Sequence, residues 1–273
     1  MTRGDQVYET HYGLERRPFG ETVSPSAYVA LPGHEGVLRR LRYALEQGRG
    51  PAVMFGPPGS GKTLLARRLA SHWDGPTVHL TFPALPAAEL VAFLAEEFGG
   101  LPAVDSSFHE SLRRLREQLT ATVAQGRRPL LVVDEAHCID QPSTFEALRL
   151  LLNFASDGSP DLSLLLVGGA EVLLDIPPSL ADRLAARCLV GPLTESEVSH
   201  YVLGRLEAAG ARSPLFSPAA LTALYHAGNG LPRRLNRIAD LALLIAYAQD
   251  LPIVDEPSIA IAAREFNHDG LAA

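Results

Sequence analysis

Residues 56–63 read Gly56-Pro57-Pro58-Gly59-Ser60-Gly61-Lys62-Thr63, and this stretch decides the fold. It follows a short apolar run, Pro-Ala-Val-Met-Phe at 51–55, that is typical of a buried parallel strand. The next residues, 64–70, have the composition of a helix. A loop with the pattern Gly-x-x-x-x-Gly-Lys-Ser/Thr between a strand and a helix is a phosphate-binding P-loop. The sequence therefore predicts nucleotide binding here.

The residue types of this loop suit a triphosphate. Glycines allow backbone N–H groups to point at phosphate oxygens, and the N-terminus of the following helix adds positive potential. The ammonium of Lys62 can neutralise the β- and γ-phosphates, and the hydroxyl of Thr63 can ligate Mg²⁺. We expect ATP and Mg²⁺ as ligands. The predicted nucleotide-binding residues are Gly56, Pro57, Pro58, Gly59, Ser60, Gly61, Lys62, Thr63 and Leu64.

Lysine usage supports this interpretation. Among the 24 basic residues, 23 are arginines and one, Lys62, is a lysine. An exposed cation can be either residue, whereas a crowded phosphate site needs a compact ammonium rather than a planar guanidinium. Arginine is therefore used at every basic position except the one where phosphate binding requires a lysine.

A second apolar run, Leu-Leu-Val-Val at 130–133, ends in Asp134-Glu135-Ala136-His137. At the carboxyl end of a strand, Asp134 can hold Mg²⁺ through water, and Glu135 can orient and polarise the attacking water. An acidic pair that merely caps the next helix is the alternative. The position behind a buried strand, downstream of a P-loop, favours the functional interpretation. Two-domain helicases also have the motif Asp-Glu-Ala-His, but each of their chains needs two motor domains. The 273 residues contain one P-loop and one acidic strand end, so we exclude that class.

Strand and helix patterns alternate through the first two thirds of the chain. Beyond the two strands above, we predict strands at 77–82, 162–167 and 188–190, helices at 87–98, 108–125 and 144–155, and an amphipathic stretch containing Arg183 and Arg187. This alternation predicts an α/β fold with a parallel sheet and helices on both faces.

The pattern changes after Pro192. Thr194 and Glu197 have the spacing of a capping box and open a helix to about residue 209. Further helices are predicted from Ser217-Pro218, from Gly230-Leu231-Pro232 and from Pro257. We therefore expect a nucleotide-binding domain at 1–193 and a small all-helical lid domain at 194–273.

Composition narrows the function classes. The 31 acidic residues give a net charge of −7, which argues against a protein that coats nucleic acid through bulk charge. No apolar run reaches the roughly 18–20 residues of a membrane span. The two cysteines lack Cys-x-x-Cys spacing, so neither a zinc nor a redox site is predicted. We expect a cytoplasmic protein.

This arrangement resembles the AAA+ ATPases, and among them the ATPase domain of ExeA/GspA-type general secretion proteins. The resemblance covers nearly the whole chain, and transposition-type ATPases are similar. It rests on five stretches besides the P-loop: Tyr12-Gly13-Leu14 with Pro18-Phe19; His34, Leu38 and Leu41; Asp134 to His137; Phe145-Glu146-Ala147-Leu148-Arg149-Leu150-Leu151-Leu152-Asn153-Phe154; and Gly230-Leu231-Pro232-Arg233-Arg234-Leu235-Asn236.

The resemblance implies further roles. Arg233 is similar to the lid arginine that reaches the γ-phosphate; a solvated helix face is the alternative for it. Arg183 resembles the finger arginine that is inserted into a neighbouring subunit's site, and Arg187 is the second candidate. This role implies a homo-oligomer. The alternative is a surface arginine on an amphipathic helix. The N-terminal segment 1–33 is expected to pack near the adenine, with Tyr12, Leu14, Pro18 and Phe19 as its candidate wall, unless these residues simply pack on the core.

The sequence departs from that family in two places. Family members usually continue past the fourth strand as Gly-Gln-Pro-Glu, where the glutamine is the polar sensor of the γ-phosphate, whereas this chain has Gly168-Gly169-Ala170-Glu171. Either hydrolysis is slow or another group substitutes, with Asn153 as a candidate. Secretion proteins of this type also continue into a membrane span about where this chain ends, so a stand-alone relative and an excised domain both remain open.

Three functional hypotheses follow. The first is an ATPase that hydrolyses ATP to ADP and phosphate to drive conformational change or assembly of a partner complex, such as membrane-associated secretion machinery. The second is a nucleotide-gated scaffold with little hydrolysis. The third is a DNA-transaction ATPase that uses the arginine clusters at 39–42 and 113–116, although the acidic composition does not favour nucleic acid as the partner.

Overall fold

The computed structural model of the protein describes residues 8–20, 28–99, 107–156 and 158–269, with side chains up to 266. Residues 1–7, 21–27, 100–106, 157 and 270–273 of the two predicted domains lie outside these ranges. The chain forms two compact units. One comprises Gly36–Pro58 and Lys62–Val190, which we call the sheet unit. The other contains the described residues up to Glu35, Gly59–Gly61 and the chain from Gly191, which we call the helical unit.

Five parallel strands form the sheet in the order β2-β3-β4-β1-β5. They are β1 (Ala52–Phe55), β2 (Thr77–Leu80), β3 (Leu130–Val133), β4 (Ser163–Gly168) and β5 (Ala186–Leu189). Every residue of β3 and β4 is buried. Because successive side chains of a strand point to opposite faces, both faces of the sheet are covered. The predicted α/β sheet with helices on both faces is confirmed.

The helices that accompany these strands are α1 (Pro32–Glu46), α2 (Lys62–Ala70), α3 (Ala87–Gly99), α4 (Phe108–Ala124), α5 (Pro142–Leu151), α6 (Val172–Asp175) and α7 (Pro178–Ala181). The predicted end of α5 at 155 was wrong, because the chain turns away after Leu151. The carboxylate of Asp161 holds this turn by accepting hydrogen bonds from the amide and the hydroxyl of Ser156, at 2.8 and 2.6 Å.

The stretch containing Arg183 and Arg187 also differs from expectation. It is not one amphipathic element, because α6 and α7 are single turns separated by Ile176 and Pro177. Strand β5 already begins at Ala186 and pairs in parallel with β1. Just before it, Ala185 N donates a hydrogen bond to Pro51 O (2.8 Å). Arg187 therefore lies in the edge strand of the sheet.

The helical unit is built from α8 (Glu195–Ala208), α9 (Pro218–Gly228), α10 (Pro232–Ala248) and α11 (Glu256–Asp269). The predicted capping box at Thr194 and Glu197 is present. Apolar side chains of these helices form one core, which also takes in Leu14 and Phe19 from the N-terminal segment. Gly230 has φ +66°, and a Cβ there would overlap the Leu193 carbonyl oxygen, so only glycine fits between α9 and α10.

Among the described residues, no helix combines the length and the apolarity that crossing a bilayer requires.

Candidate functional site

The P-loop connects β1 to α2 and has the backbone that phosphate binding needs. Gly59 and Gly61 have φ values of +80° and +98°, which side chains other than glycine rarely adopt. Lys62 is buried, and its Nζ donates to the carbonyl oxygens of Gly56 (2.9 Å) and Pro57 (3.0 Å). These two bonds hold the ammonium against the loop.

Ser60 gives an independent indication that the loop accommodates an anion. Its hydroxyl is fully buried and has no hydrogen-bond partner among the described residues. A buried donor without a partner costs about 1–3 kcal/mol, which an acceptor oxygen entering the loop would recover. The loop therefore fits a polyphosphate. Leu64, the remaining predicted contact, is half-buried in the first turn of α2.

The register of the sheet places the acidic motif at the same edge as the P-loop. Phe55 pairs with Gly168, and Val133 pairs with Leu166, so β1, β3 and β4 end side by side. The residues that follow β1 and β3, Gly56 and Asp134, thus emerge at the carboxyl edge of the sheet. This is where parallel α/β sheets bind their ligands.

Asp134 is buried at this edge and is surrounded by hydrogen-bond donors. Its Oδ2 accepts from His79 Nε2 at 3.4 Å, its Oδ1 accepts from the Glu135 amide at 3.1 Å, and its side chain also bonds to Thr63. Burial raises the pKa of this carboxyl group, but these hydrogen bonds outweigh it, and the pKa lies below its usual value. An anionic carboxylate joined to the P-loop threonine is a donor set that fits Mg²⁺.

Glu135 has an unusual backbone. It adopts φ 52°, ψ 40° in the left-handed region, which is uncommon for residues other than glycine and costs of order 1–3 kcal/mol. The side chain is half exposed, and its Oε2 lies 3.6 Å from Nδ1 of His137. Asp134 is therefore fixed in the interior, while the adjacent Glu135 is presented to solvent.

At the end of β4, the structure shows what surrounds the position of the missing amide. The backbone N–H of Gly169 donates to Nδ1 of His137 at 3.4 Å. Asn153, the candidate substitute, does not lie there, because its Oδ1 accepts a 3.0 Å hydrogen bond from Arg183.

Arg183 lies at the opposite edge of the sheet. Its carbonyl oxygen occupies the space where a Cβ on Gly50 would be, two residues before β1 begins. The four residues of β1 span about 13 Å and end in the P-loop. The structure thus brings Lys62, Thr63, Asp134 and Glu135 together and leaves Arg183 at the amino edge.

Within the helical unit, Gly59–Gly61 contacts the beginning of α10. The Arg233 amide donates to the Gly59 carbonyl oxygen at 3.2 Å, and a Cβ on Gly59 would lie 2.9 Å from the Arg233 Cβ. His34 Cε1 would lie 3.9 Å from a Cβ on Gly61. The buried His34 Nε2 has no hydrogen-bond partner among the described residues, and burial lowers the pKa of His34 although Glu197 and Glu35 oppose the shift.

The candidate adenine wall belongs to the packing of the helical unit. Leu14 and Phe19 are buried in its core, and Tyr12 donates to the Leu251 carbonyl oxygen at 3.0 Å. The sequence assigned no role to His79, which stands outside every motif, and no separate role to His137, although His137 is the last residue of the acidic motif. Strand pairing brings His79 of β2 to Asp134, and the end of β4 meets His137.

This sheet order, the P-loop after β1 and the helical unit that follows define the AAA+ class of P-loop NTPases. Residues 45–174 match the model of a family described as AAA domain. Over 265 residues the chain is 32% identical to general secretion pathway protein A of Aeromonas hydrophila, which confirms the predicted resemblance. The match covers 95% of this chain and 48% of that protein, so the chain spans about half the length of this relative.

Solved structures show the same fold. The Aeropyrum pernix ORC1 protein in complex with DNA superposes with a TM-score of 0.65 at 18% identity, covering 92% of this chain and 69% of that chain. CDC6P from Pyrobaculum aerophilum gives a TM-score of 0.69 at 20% identity, covering 87% and 67%. At these identities the likeness establishes the fold alone.

Proposed function

We propose that the protein is an Mg²⁺-dependent ATPase that hydrolyses ATP to ADP and phosphate to drive conformational change or assembly of a partner complex. The observation that carries this proposal is the contact of an anionic Asp134 with Thr63, the residue that follows Lys62 in the P-loop. An AAA domain in the same residues supports it.

Each side chain at the carboxyl edge has a task in this reaction. Lys62 binds the β- and γ-phosphates, and Thr63 with Asp134 holds the metal. A bound Mg²⁺ ion supplies charge neutralisation of the phosphate oxygens. Glu135 orients a water molecule and takes its proton; the water oxygen then bonds to the γ-phosphorus, and the bond to the bridging oxygen breaks.

Two arginines complete the proposal. Arg183 lies about the length of β1 away from the P-loop of its own chain, which supports a role as a finger for a neighbouring copy. Its hydrogen bonds to Asn153 and to the Arg149 carbonyl oxygen (3.4 Å) fix its starting position. Arg233 lies against Gly59 and is proposed to report nucleotide state to the helical unit.

The similarity to general secretion pathway protein A supports a partner in membrane-associated secretion machinery, served from the cytoplasm. DNA is the less favoured partner. In the arginine cluster on α4, Arg113 pairs with Glu117 at 3.0 Å and Arg114 pairs with Glu110 at 2.5 Å. These pairs neutralise the charge that phosphate contacts would need. Stimulation of turnover by DNA at low salt would favour the DNA-transaction alternative instead.

The deciding experiment is steady-state ATP hydrolysis across a range of protein concentrations, with ATP binding measured in parallel. Glu135→Gln should retain ATP binding and lose turnover by about 10²- to 10⁴-fold, the usual contribution of a general base. Lys62→Ala should lose binding. Glu97→Gln, an exposed carboxylate change on α3, is the matched control and should match the wild type. Turnover that rises more steeply than protein concentration and is lost in Arg183→Ala would indicate a shared site.

A nucleotide-gated scaffold remains the second candidate, because no side-chain amide follows β4 at Gly169. Tight ATP binding without Lys62-dependent turnover would support the scaffold and exclude the unaided ATPase. Wild-type turnover that Glu135→Gln leaves unchanged would refute the assignment of Glu135.

A further inference from the structure

His137 lies between the two unusual features of the candidate site, the left-handed Glu135 and the glycine at position 169. We propose that His137 is a positioning residue that connects the end of β4 to Glu135 and takes the place of the polar side chain missing at Gly169. This inference rests on the proposed function, because it concerns the carboxylate to which we assign activation of water.

The ring of His137 contacts both elements through the same atom. Its Nδ1 lies 3.4 Å from the Gly169 amide nitrogen and 3.6 Å from Glu135 Oε2. A Cβ on Gly168 would lie 3.1 Å from this Nδ1 and 3.3 Å from the Val172 Cβ. Glycine at 168 therefore makes room for the imidazole at the end of β4.

The backbone around His137 is fixed by buried neighbours, so the position of the ring is determined. His137 is in the middle of a short 3₁₀ turn, Ala136–Cys138, in which Cys138 N donates to Glu135 O at 2.7 Å and Ile139 N donates to Ala136 O at 3.2 Å. Ala136 is fully buried, and Ile139 is nearly so. The turn holds the ring towards β4 and the Glu135 side chain next to the ring.

The hydrogen bond from Gly169 determines what the ring can do. An Nδ1 that accepts the Gly169 N–H places the proton of the neutral imidazole on Nε2. In this tautomer Nδ1 offers Glu135 no hydrogen, and 3.6 Å exceeds the range of a hydrogen bond. The ring consequently limits where the carboxylate can move without donating a hydrogen bond to it, so the Glu135 oxygens remain available to a water molecule.

Three variants separate the two properties of the ring. His137→Asn keeps an acceptor near the position of Nδ1, His137→Leu keeps the bulk without the acceptor, and His137→Ala removes both. We expect kcat to fall in the order wild type, Asn, Leu, Ala, by about 100-fold for Ala, because a displacement of about 1 Å has that cost. KM and ATP affinity should change less than about twofold. His109→Ala, an exposed histidine on α4, is the matched control.

A spectroscopic measurement tests the inference without turnover. At a pH where the ring is neutral, the nitrogen resonances of His137 in the nucleotide-free protein should show its proton on Nε2, and Glu135→Gln should shift them. A ring protonated at Nδ1 would overturn the inference, as would wild-type kcat in His137→Leu when Glu135→Gln is inactive. If the wild type itself fails to turn over ATP, the proposed ATPase is refuted, and the tautomer and its response to Glu135→Gln alone decide the inference about His137.

Discussion

Replacing Gly59 by alanine tests the contact between the P-loop and α10 in the protein without nucleotide. The backbone at Gly59 has φ +80°, and a Cβ there would lie 2.9 Å from the Arg233 Cβ, closer than real carbon–carbon contacts. Both atoms are next to the main chain, so rotation of the arginine side chain cannot relieve the overlap. Either the start of α10 or the loop must move.

The magnitude follows from two contributions. Forcing a Cβ into the left-handed region costs about 1–2 kcal/mol, and overpacking a tight contact adds about 1–3 kcal/mol. Gly13, in the same unit, has φ +65° but nothing within 4 Å of its would-be Cβ. Gly13→Ala should therefore show only the first contribution, and the difference between the two variants isolates the contact with Arg233.

Native-state hydrogen exchange of the α10 amides is the appropriate assay, because it reports the opening of this helix separately from the sheet unit. Gly59→Ala should lower the opening free energy by about 2–5 kcal/mol, and Gly13→Ala by about 1–2 kcal/mol. Arg233→Ala keeps the Cβ and should not rescue Gly59→Ala, whereas Arg233→Gly should restore part of the loss. Equal losses in Gly59→Ala and Gly13→Ala would refute the contact.

Two further predictions concern pH. Because hydrogen bonds hold the pKa of Asp134 below its usual value, this residue contributes stability at pH above about 4, and the contribution is lost as the pH falls through the lowered pKa. In urea unfolding between pH 2.5 and 6, the free energy of unfolding should fall more steeply with acid in the wild type than in Asp134→Asn. Parallel curves would contradict this prediction. Burial lowers the pKa of His34 and so favours the neutral ring in the folded protein. The free energy of unfolding should therefore decline as the pH falls from ~6.5 towards 5, and the decline should be larger in the wild type than in His34→Gln. Identical declines would exclude His34 as the cause.

Most of the fold was predictable because its signals are local. The P-loop with its flanking strand and helix, the apolar strand before Asp134 and the capping box at Thr194 each require only a dozen residues to recognise. Errors occurred where tertiary contacts override the pattern. Strand pairing converts the residues around Arg187 into an edge strand, and α5 ends at Leu151, before the loop that Ser156 and Asp161 join.

The site was predictable only as far as its residues adjoin a motif in sequence. Lys62, Thr63, Asp134 and Glu135 converge because parallel strands end at one edge, which is a general rule of the fold. The hydrogen bond between Gly169 and His137 depends instead on β4 lying between β3 and β1, and no periodicity of a sequence encodes strand order.

Gly169 shows that a site can keep a polar contact even where the residue that usually supplies it in the family's motif is absent. Glycine at this position removes an amide side chain, but its N–H remains and is bonded to an imidazole that belongs to the acidic motif. Because Gly168 also lacks a Cβ, the ring can approach the end of β4 where a larger residue would exclude it. Gly168, Gly169 and His137 therefore form one arrangement in which each glycine allows a contact of the ring. A substitution that places a side chain at position 168 should displace the ring, because the added Cβ would occupy the space next to Nδ1.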